Sequence, residues 1–175
     1  MELQELLEKR KSIRKYLNKE VKREDLEKII DATRLAPSWK NSQVIRYHVV
    51  TSKEMLNQIK LSLPEFNQEN VKDAPVLIIS SYIKNRSGFK RSGEAENEVG
   101  NGWGCYDVGM HDMVLLLKAR ELGLSSLVMG IRDASKIKDI LNIEEDILSV
   151  IALGYSEFDP ERPSRKSINE IVKFY

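Results

Sequence analysis

Residues 102–122, GWGCYDVGMHDMVLLLKAREL, followed by Gly123, form the longest helical pattern in the chain. Trp103, Val108, Met110, Met113, Val114, Leu115, Leu116, Leu117, Ala119 and Leu122 leave it almost no polar face. A helix without a polar face is buried on all sides. Gly123 reads as its C-terminal cap. A chain of 175 residues makes a single domain most readily and can bury roughly 70% of its unfolded surface. One sheet in so small a domain cannot cover such a helix completely. Two readings follow. Either a second copy of the chain covers the remainder, two-fold dimers being the commonest oligomers, or the helix runs through the centre of a monomer.

The flanking elements agree with either arrangement. Residues 2–10 read as a short helix with Leu3, Leu6 and Leu7 on one face. A second helix over 23–36 places Leu26, Ile29, Ile30 and Thr33 at i, i+3, i+4, i+7 spacing, with Glu24 and Asp25 in its first turn, where the helix dipole favours them. Strands are expected at 44–51, 75–82, 124–130 and 147–154, and helices at 53–61 and 133–141. The runs Val76-Leu77-Ile78-Ile79 and Ser149-Val150-Ile151-Ala152-Leu153 are continuously apolar, so helices should cover both their faces. The tail, 155–175, carries Pro160 and Pro163, then a short helical segment ending at Phe174-Tyr175. No repeat or linker interrupts this single domain of residues 1–175.

Composition excludes several classes. Charged residues make up 31% of the chain, yet their signs cancel to +1, which lacks the concentrated basic field of a nucleic-acid binder. A lone cysteine, Cys105, cannot form an internal disulfide and reads as a buried spacer. The acidic N-terminus does not resemble a signal peptide, and no apolar run approaches the roughly 20 residues of a membrane span. A soluble, cytoplasmic protein is expected.

No protein-borne catalytic machine is visible either. There is no His-Glu-x-x-His, no cysteine cluster and no Gly-x-Ser-x-Gly elbow. His48 and His111 read as hydrogen-bonded core histidines. Gly100-Asn101-Gly102-Trp103-Gly104 lacks the Walker lysine and follows a charged loop, so it reads as turn and capping chemistry. If the protein is an enzyme, a cofactor carries the hard step.

Three segments supply candidate binding groups. The octapeptide Ala36-Pro37-Ser38-Trp39-Lys40-Asn41-Ser42-Gln43 spends eight polar-rich residues where a turn needs two or three. In Arg10-Lys11-Ser12-Ile13-Arg14, extended geometry points Arg10, Ser12 and Arg14 the same way. Two guanidinium groups and a hydroxyl on one side suit a phosphate. Arg165 and Lys166 repeat that chemistry in the tail. The alternative for both basic segments is a solvated face.

Together these motifs resemble the nitroreductase family of flavoproteins. Arg10–Tyr16 is similar to the family's Arg-Arg-Ser-Ile-Arg opening, and Ala36-Pro37-Ser38-x-x-Asn41-Ser42-Gln43 to its second motif. Asp107 through Leu124 to Gly130 resembles its central helix and following strand. Ile151–Tyr155 with Arg165-Lys166 resembles its C-terminal signature. The resemblance implies an α+β fold: a mixed, mostly antiparallel sheet flanked by helices, a homodimer with a long central interface helix, and a C-terminal arm over about 155–175.

It also implies noncovalent FMN at the dimer interface. Arg10, Lys11 and Ser12 would hold the phosphate and ribityl chain, with Arg165 and Lys166 closing on the phosphate. Arg14 would lie at the pyrimidine edge, and Asn41 would hydrogen-bond the ring edge. Pro37, Ser38 and Trp39 would reach the flavin of the other subunit, and Val128, Met129 and Gly130 would offer backbone groups near the ring. Trp39 could instead simply pack at the interface, and Met129 simply end a strand. The implied reaction takes a hydride from NADH or NADPH through flavin N5 to a nitroaromatic or quinone. Reductive dehalogenation, oxidation of a small metabolite, or flavin binding without nicotinamide turnover are the alternatives on the same scaffold.

The chain departs from the family pattern in three places. Asn41-Ser42-Gln43 continues into Val44-Ile45 without the usual Pro-Trp. Trp39 replaces a small residue, which should narrow the space beside the flavin. The region 83–101 is a polar loop without a helical excursion. Its Lys84, Arg86, Lys90 and Arg91 would attract the phosphates of NAD(P)H, or would form part of a solvated mobile loop.

Overall fold

The computed structural model describes residues 2–175. In chain order its elements are α1 (Leu3–Lys9), α2 (Arg23–Thr33), a 3₁₀ turn (Trp39–Asn41), β1 (Ile45–Val50), α3 (Lys53–Lys60), α4 (Glu65–Asn70), β2 (Val76–Tyr82), α5 (Gly102–Glu121), β3 (Ser125–Met129), α6 (Ala134–Leu141), β4 (Asp146–Gly154) and α7 (Ile168–Ile171).

The strands form one sheet in the order β1-β2-β4-β3, and all three pairings are antiparallel. An isolated parallel bridge from Ser12 to Ser126 lays the basic segment 10–14 against the β3 edge. β2 and β4 take the centre because their apolar runs can be buried on both faces, and every residue of β2 is buried. Successive side chains then feed opposite cores. Leu77, Ile79, Val150 and Ala152 join Leu56, Ile59 and Ile137 of α3 and α6 on one face. Val76, Ile78, Ile151 and Leu153 join Leu26, Ile29, Leu115, Leu116 and Ala119 of α2 and α5 on the other. The fold is therefore α+β, a sheet between two helical layers.

Local chemistry places the ends. Ser52 Oγ accepts from Met55 N to start α3, and the Asp133 carboxylate accepts from Lys136 N to start α6. Gly123, at φ +80°, ends α5 as its pattern predicts. A refinement concerns α5. Within one chain only one side of it is buried, through Asp107, Val108, His111, Asp112, Leu115, Leu116 and Ala119. Tyr106 is 61% exposed, and Met110, Met113 and Leu117 are only partly covered. α4 is an element that periodicity does not reveal, because its six residues carry a single large apolar side chain, Phe66, which is exposed.

Candidate functional site

The basic segment reaches its place through Ile13. Its side chain is buried and its N–H donates to Ser126 O at 2.9 Å, so the flanking Ser12 and Arg14 turn outward, as alternation predicts. Arg10 is half-buried. Burial first, then the charges of Arg162 and Arg165, push its guanidinium below its ordinary value, although an arginine stays charged. The tail thus returns to Arg10 and brings Arg165 with it. Arg162 belongs to the same cluster and was not singled out in the sequence. Like charges within electrostatic reach of one another favour a nearby anion.

Lys11 sits differently. Its Nζ pairs with Asp159 Oδ1 at 2.7 Å and holds that exposed carboxyl below its usual range. Lys166 is exposed, and no ion pair or side-chain hydrogen bond engages it among the described residues. A cavity of about 290 Å³ lies beside Arg10 and Lys11 and is also lined by Ser125, Ser126 and Arg120, whose Nε is buried without a partner. At the other end of β3, Val128 and Gly130 are exposed while Met129 is buried in the core. A side chain at Gly130 would meet nothing within 4 Å, so the turn faces open space, and its carbonyl accepts from Arg132 Nη1 at 3.0 Å.

The octapeptide is held in an unusual conformation. Lys40, Asn41 and Gln43 all have positive φ, at 45°, 55° and 48°. Backbone of this kind costs on the order of 1 kcal/mol or more per non-glycine residue and persists only where surroundings enforce it. Asp107 of α5 is the main enforcer. Its buried carboxyl accepts from Trp39 N at 3.0 Å, from Ser42 Oγ at 3.4 Å and from Ser87 Oγ at 2.6 Å. One carboxylate thus ties the octapeptide and the 83–101 loop to the same helix. Ser38 Oγ also accepts from Gln43 N at 3.0 Å and closes the turn on itself. Pro37 and Asn41 are exposed.

Trp39 is half-buried and packs on Trp103 of its own chain, with ring centroids 4.5 Å apart, while its Nε1 is buried without a partner. The region 83–101 is a set of pinned turns. Lys90 N donates to Glu94 O, Glu96 N to Gly88 O, and Phe89 bridges Ala95. Asn101 is the N-cap of α5, its carbonyl accepting from Gly104 N at 3.0 Å, while its side-chain amide bonds Asn85 through both its atoms. Cys105 is half-buried, not fully buried as expected.

His111 is buried as a core group, whereas His48, on the edge strand β1, is only half-buried. His111 Nδ1 lies 2.8 Å from Asp107 O, and His48 Nε2 lies 3.3 Å from Ser81 Oγ. A groove of about 1160 Å³ beside α2 and β1 is lined by none of the candidate residues. Among the described residues no group of acids, histidines or cysteines could hold a metal ion, and no helix is long and apolar enough to cross a membrane.

The nitroreductase family model matches residues 7–63 and 58–155, which takes in the basic segment, the octapeptide, α5 and the whole sheet. The chain belongs to the nitroreductase family. A protein of Methanothermobacter thermautotrophicus whose name includes NADH dehydrogenase/NAD(P)H nitroreductase is 32% identical over 181 residues, spanning 93% of this chain and 85% of its own. A solved nitroreductase family protein of Clostridium difficile 630 superposes with a TM-score of 0.82 at 27% identity, over 99% of this chain and 98% of that one. A protein of Exiguobacterium sibiricum 255-15, solved in complex with FMN, shares the fold with a TM-score of 0.83 at 22% identity, over all of this chain and 98% of that one.

Within this nitroreductase fold the two candidate regions lie at opposite ends of α5. The octapeptide hangs on Asp107, whereas Arg120 lines the cavity beside Arg10. Arg120 lies thirteen positions after Asp107 along the helix, roughly 20 Å.

Proposed function

We propose that this chain is an FMN-dependent oxidoreductase that works as a homodimer and moves a hydride from NADH or NADPH to an electron-poor acceptor, such as a nitroaromatic or quinone. The observation that carries the reading is the outward-facing Ser12 and Arg14 beside Arg10, whose guanidinium lies within electrostatic reach of Arg162 and Arg165, in a chain of this family. Its residues fit FMN. The cluster matches the cofactor's phosphate, exposed Ser12 and Arg14 match its polar chain and ring edge, and the open space at Gly130 leaves room for a ring. Lys166 would close over the phosphate, and Lys11 would join it on leaving Asp159.

When bound, FMN supplies the two-electron acceptor and donor at its ring N5. The protein's own groups position and polarise. Arg14 would stabilise negative charge that develops at the pyrimidine edge. Val128 and Gly130 would bound the ring on the β3 side. The 20 Å separation along α5 favours an octapeptide whose Pro37, Ser38, Trp39 and Asn41 all serve the site of the partner subunit, since Asn41 shares its 3₁₀ turn with Trp39. Sharing of that kind makes the site incomplete in one chain. No side-chain acid or base is needed, because stacking brings donor and acceptor into attack distance.

The homodimer draws support from two uncovered apolar surfaces: the Tyr106, Met110, Met113 and Leu117 side of α5, and the arm, where Ile168, Ile171 and Phe174 are exposed. The direct test is optical. Purified protein should be yellow and should bleach anaerobically with NADH or NADPH, then regain colour with a quinone. Colourless protein that cannot be reconstituted with FMN would end this reading.

A further inference from the structure

A second cavity, about 480 Å³, opens between the octapeptide and the 83–101 turns, with Lys40 and Asn41 on one wall and Arg86, Phe89, Lys90 and Arg91 on the other. We propose that this pocket binds the phosphates of the nicotinamide dinucleotide. The identity of that ligand rests on the function proposed above. Lys40 is paired with Glu96 at 2.6 Å, and Lys90 with Glu94 at 3.2 Å. Arg86 and Arg91 make no ion pair and no side-chain hydrogen bond among the described residues. Two guanidinium groups therefore remain at the pocket, and guanidinium is the side chain best matched to phosphate oxygens.

The pocket walls are anchored. Arg86 is followed by Ser87, whose hydroxyl donates to the buried Asp107 carboxyl at 2.6 Å. Gly88 has φ +82°, and a Cβ there would lie 2.6 Å from the Trp103 ring, so the backbone is seated directly on α5. The turn from Lys90 to Glu94 closes through Lys90 N to Glu94 O at 2.9 Å and carries Arg91 on it. The base of each guanidinium arm is thus placed by backbone that has other reasons to stay.

Position selects the ligand. The pocket shares Trp39 and Asn41 with the octapeptide, which is assigned to the flavin ring. A donor that stacks its nicotinamide on that ring must place a pyrophosphate, and in NADPH a third phosphate, nearby. Nitroaromatic and quinone acceptors have no such groups. Lys84, the fourth cation that the sequence assigns to this patch, pairs with Asp146 of β4 at 2.6 Å and does not line the pocket.

The test is the double variant Arg86→Ser/Arg91→Ser, with Lys84→Ser as a control outside the pocket. Steady-state KM for NADH and NADPH is measured on FMN-loaded protein, together with calorimetric binding of ADP-ribose and adenosine 2′,5′-bisphosphate. The double variant should retain its FMN and raise KM about tenfold or more, while Lys84→Ser stays near wild type. A rise for both nicotinamides assigns the pocket to the pyrophosphate, and a rise for NADPH alone assigns it to the 2′-phosphate. KM values within about twofold of wild type, with undiminished probe binding, overturn the proposal. If FMN-loaded wild type is reduced by dithionite but by neither nicotinamide, the donor assignment fails separately. In that case ADP-ribose binding that the double variant loses still supports a phosphate pocket, and absent binding overturns it.

Discussion

Asp107 is where the two loops of the site meet. Its carboxyl takes hydrogen bonds from Trp39, Ser42 and Ser87, and so ties the octapeptide and the 83–101 turns to one helix. Asp107→Asn keeps the size but turns an NH₂ group toward donors. It should lower stability by about 1–3 kcal/mol, the cost of leaving a buried polar group unsatisfied. It should also weaken FMN binding several-fold, although Asp107 itself is assigned no contact with the cofactor. Urea unfolding and FMN titration check both; lost stability with unchanged FMN affinity would show that Asp107 supports the fold but does not position the octapeptide. Asp107 was only partly legible in the sequence. A lone acid in the apolar first half of a helix must find partners, but those partners lie 20 to 68 residues away. Arg162 was hidden for the same reason: nothing local links it to Arg10, and only the path of the tail brings them together.

At the scale of elements, α5 is fastened to the sheet by a buried polar contact as well as by its apolar stripe. Asp112 Oδ1 accepts from Tyr47 Oη of β1 at 2.8 Å and from Ser80 Oγ of β2 at 2.9 Å. Burial raises the Asp112 carboxyl above its ordinary value, and the two hydroxyl donors with the neighbouring His111 offset this only in part. Burial likewise raises the Tyr47 hydroxyl, helped by the Asp112 charge. The sign for stability follows. A folded-state value above the unfolded one, near 4, means that Asp112 contributes fully below that range and loses its contribution as pH rises through the folded value. Asp112→Asn does not titrate, so its stability relative to wild type should improve steadily from pH 4 upward. Urea midpoints for both proteins across pH 4–8 test this, and a constant difference would refute it. The strands and long helices were legible because their apolar periods are long. Three things were not. α4 has no apolar stripe, and the 83–101 turns are ordered by contacts with α5 that are remote in sequence. The octapeptide takes its left-handed backbone at Lys40 and Gln43, residue types that do not advertise it.

For the whole molecule, the question is what covers the open side of α5. Sequence reading expects a helix buried all round, yet one chain buries one side and leaves Tyr106, Met110, Met113 and Leu117 uncovered or half-covered. The family resemblance supplied the order of the motifs and the expectation of a shared site. The sequence alone could not show that the octapeptide and the Arg10 cluster sit at opposite ends of one helix. If the octapeptide completes the partner's FMN site, dimerisation and cofactor binding are linked, and each should strengthen the other. Met113→Glu places a charge in the middle of the open stripe, distant in the chain from every residue assigned to FMN. It should convert a dimer to monomers at micromolar concentration, as seen by sedimentation velocity, and should weaken FMN binding by about tenfold or more, since a lost interface of even a few kcal/mol removes half the site. FMN added in excess should drive the variant back toward dimer. A Met113→Glu monomer that binds FMN as tightly as wild type would show that the site is complete within one chain, and would return the octapeptide to its own protomer's cofactor.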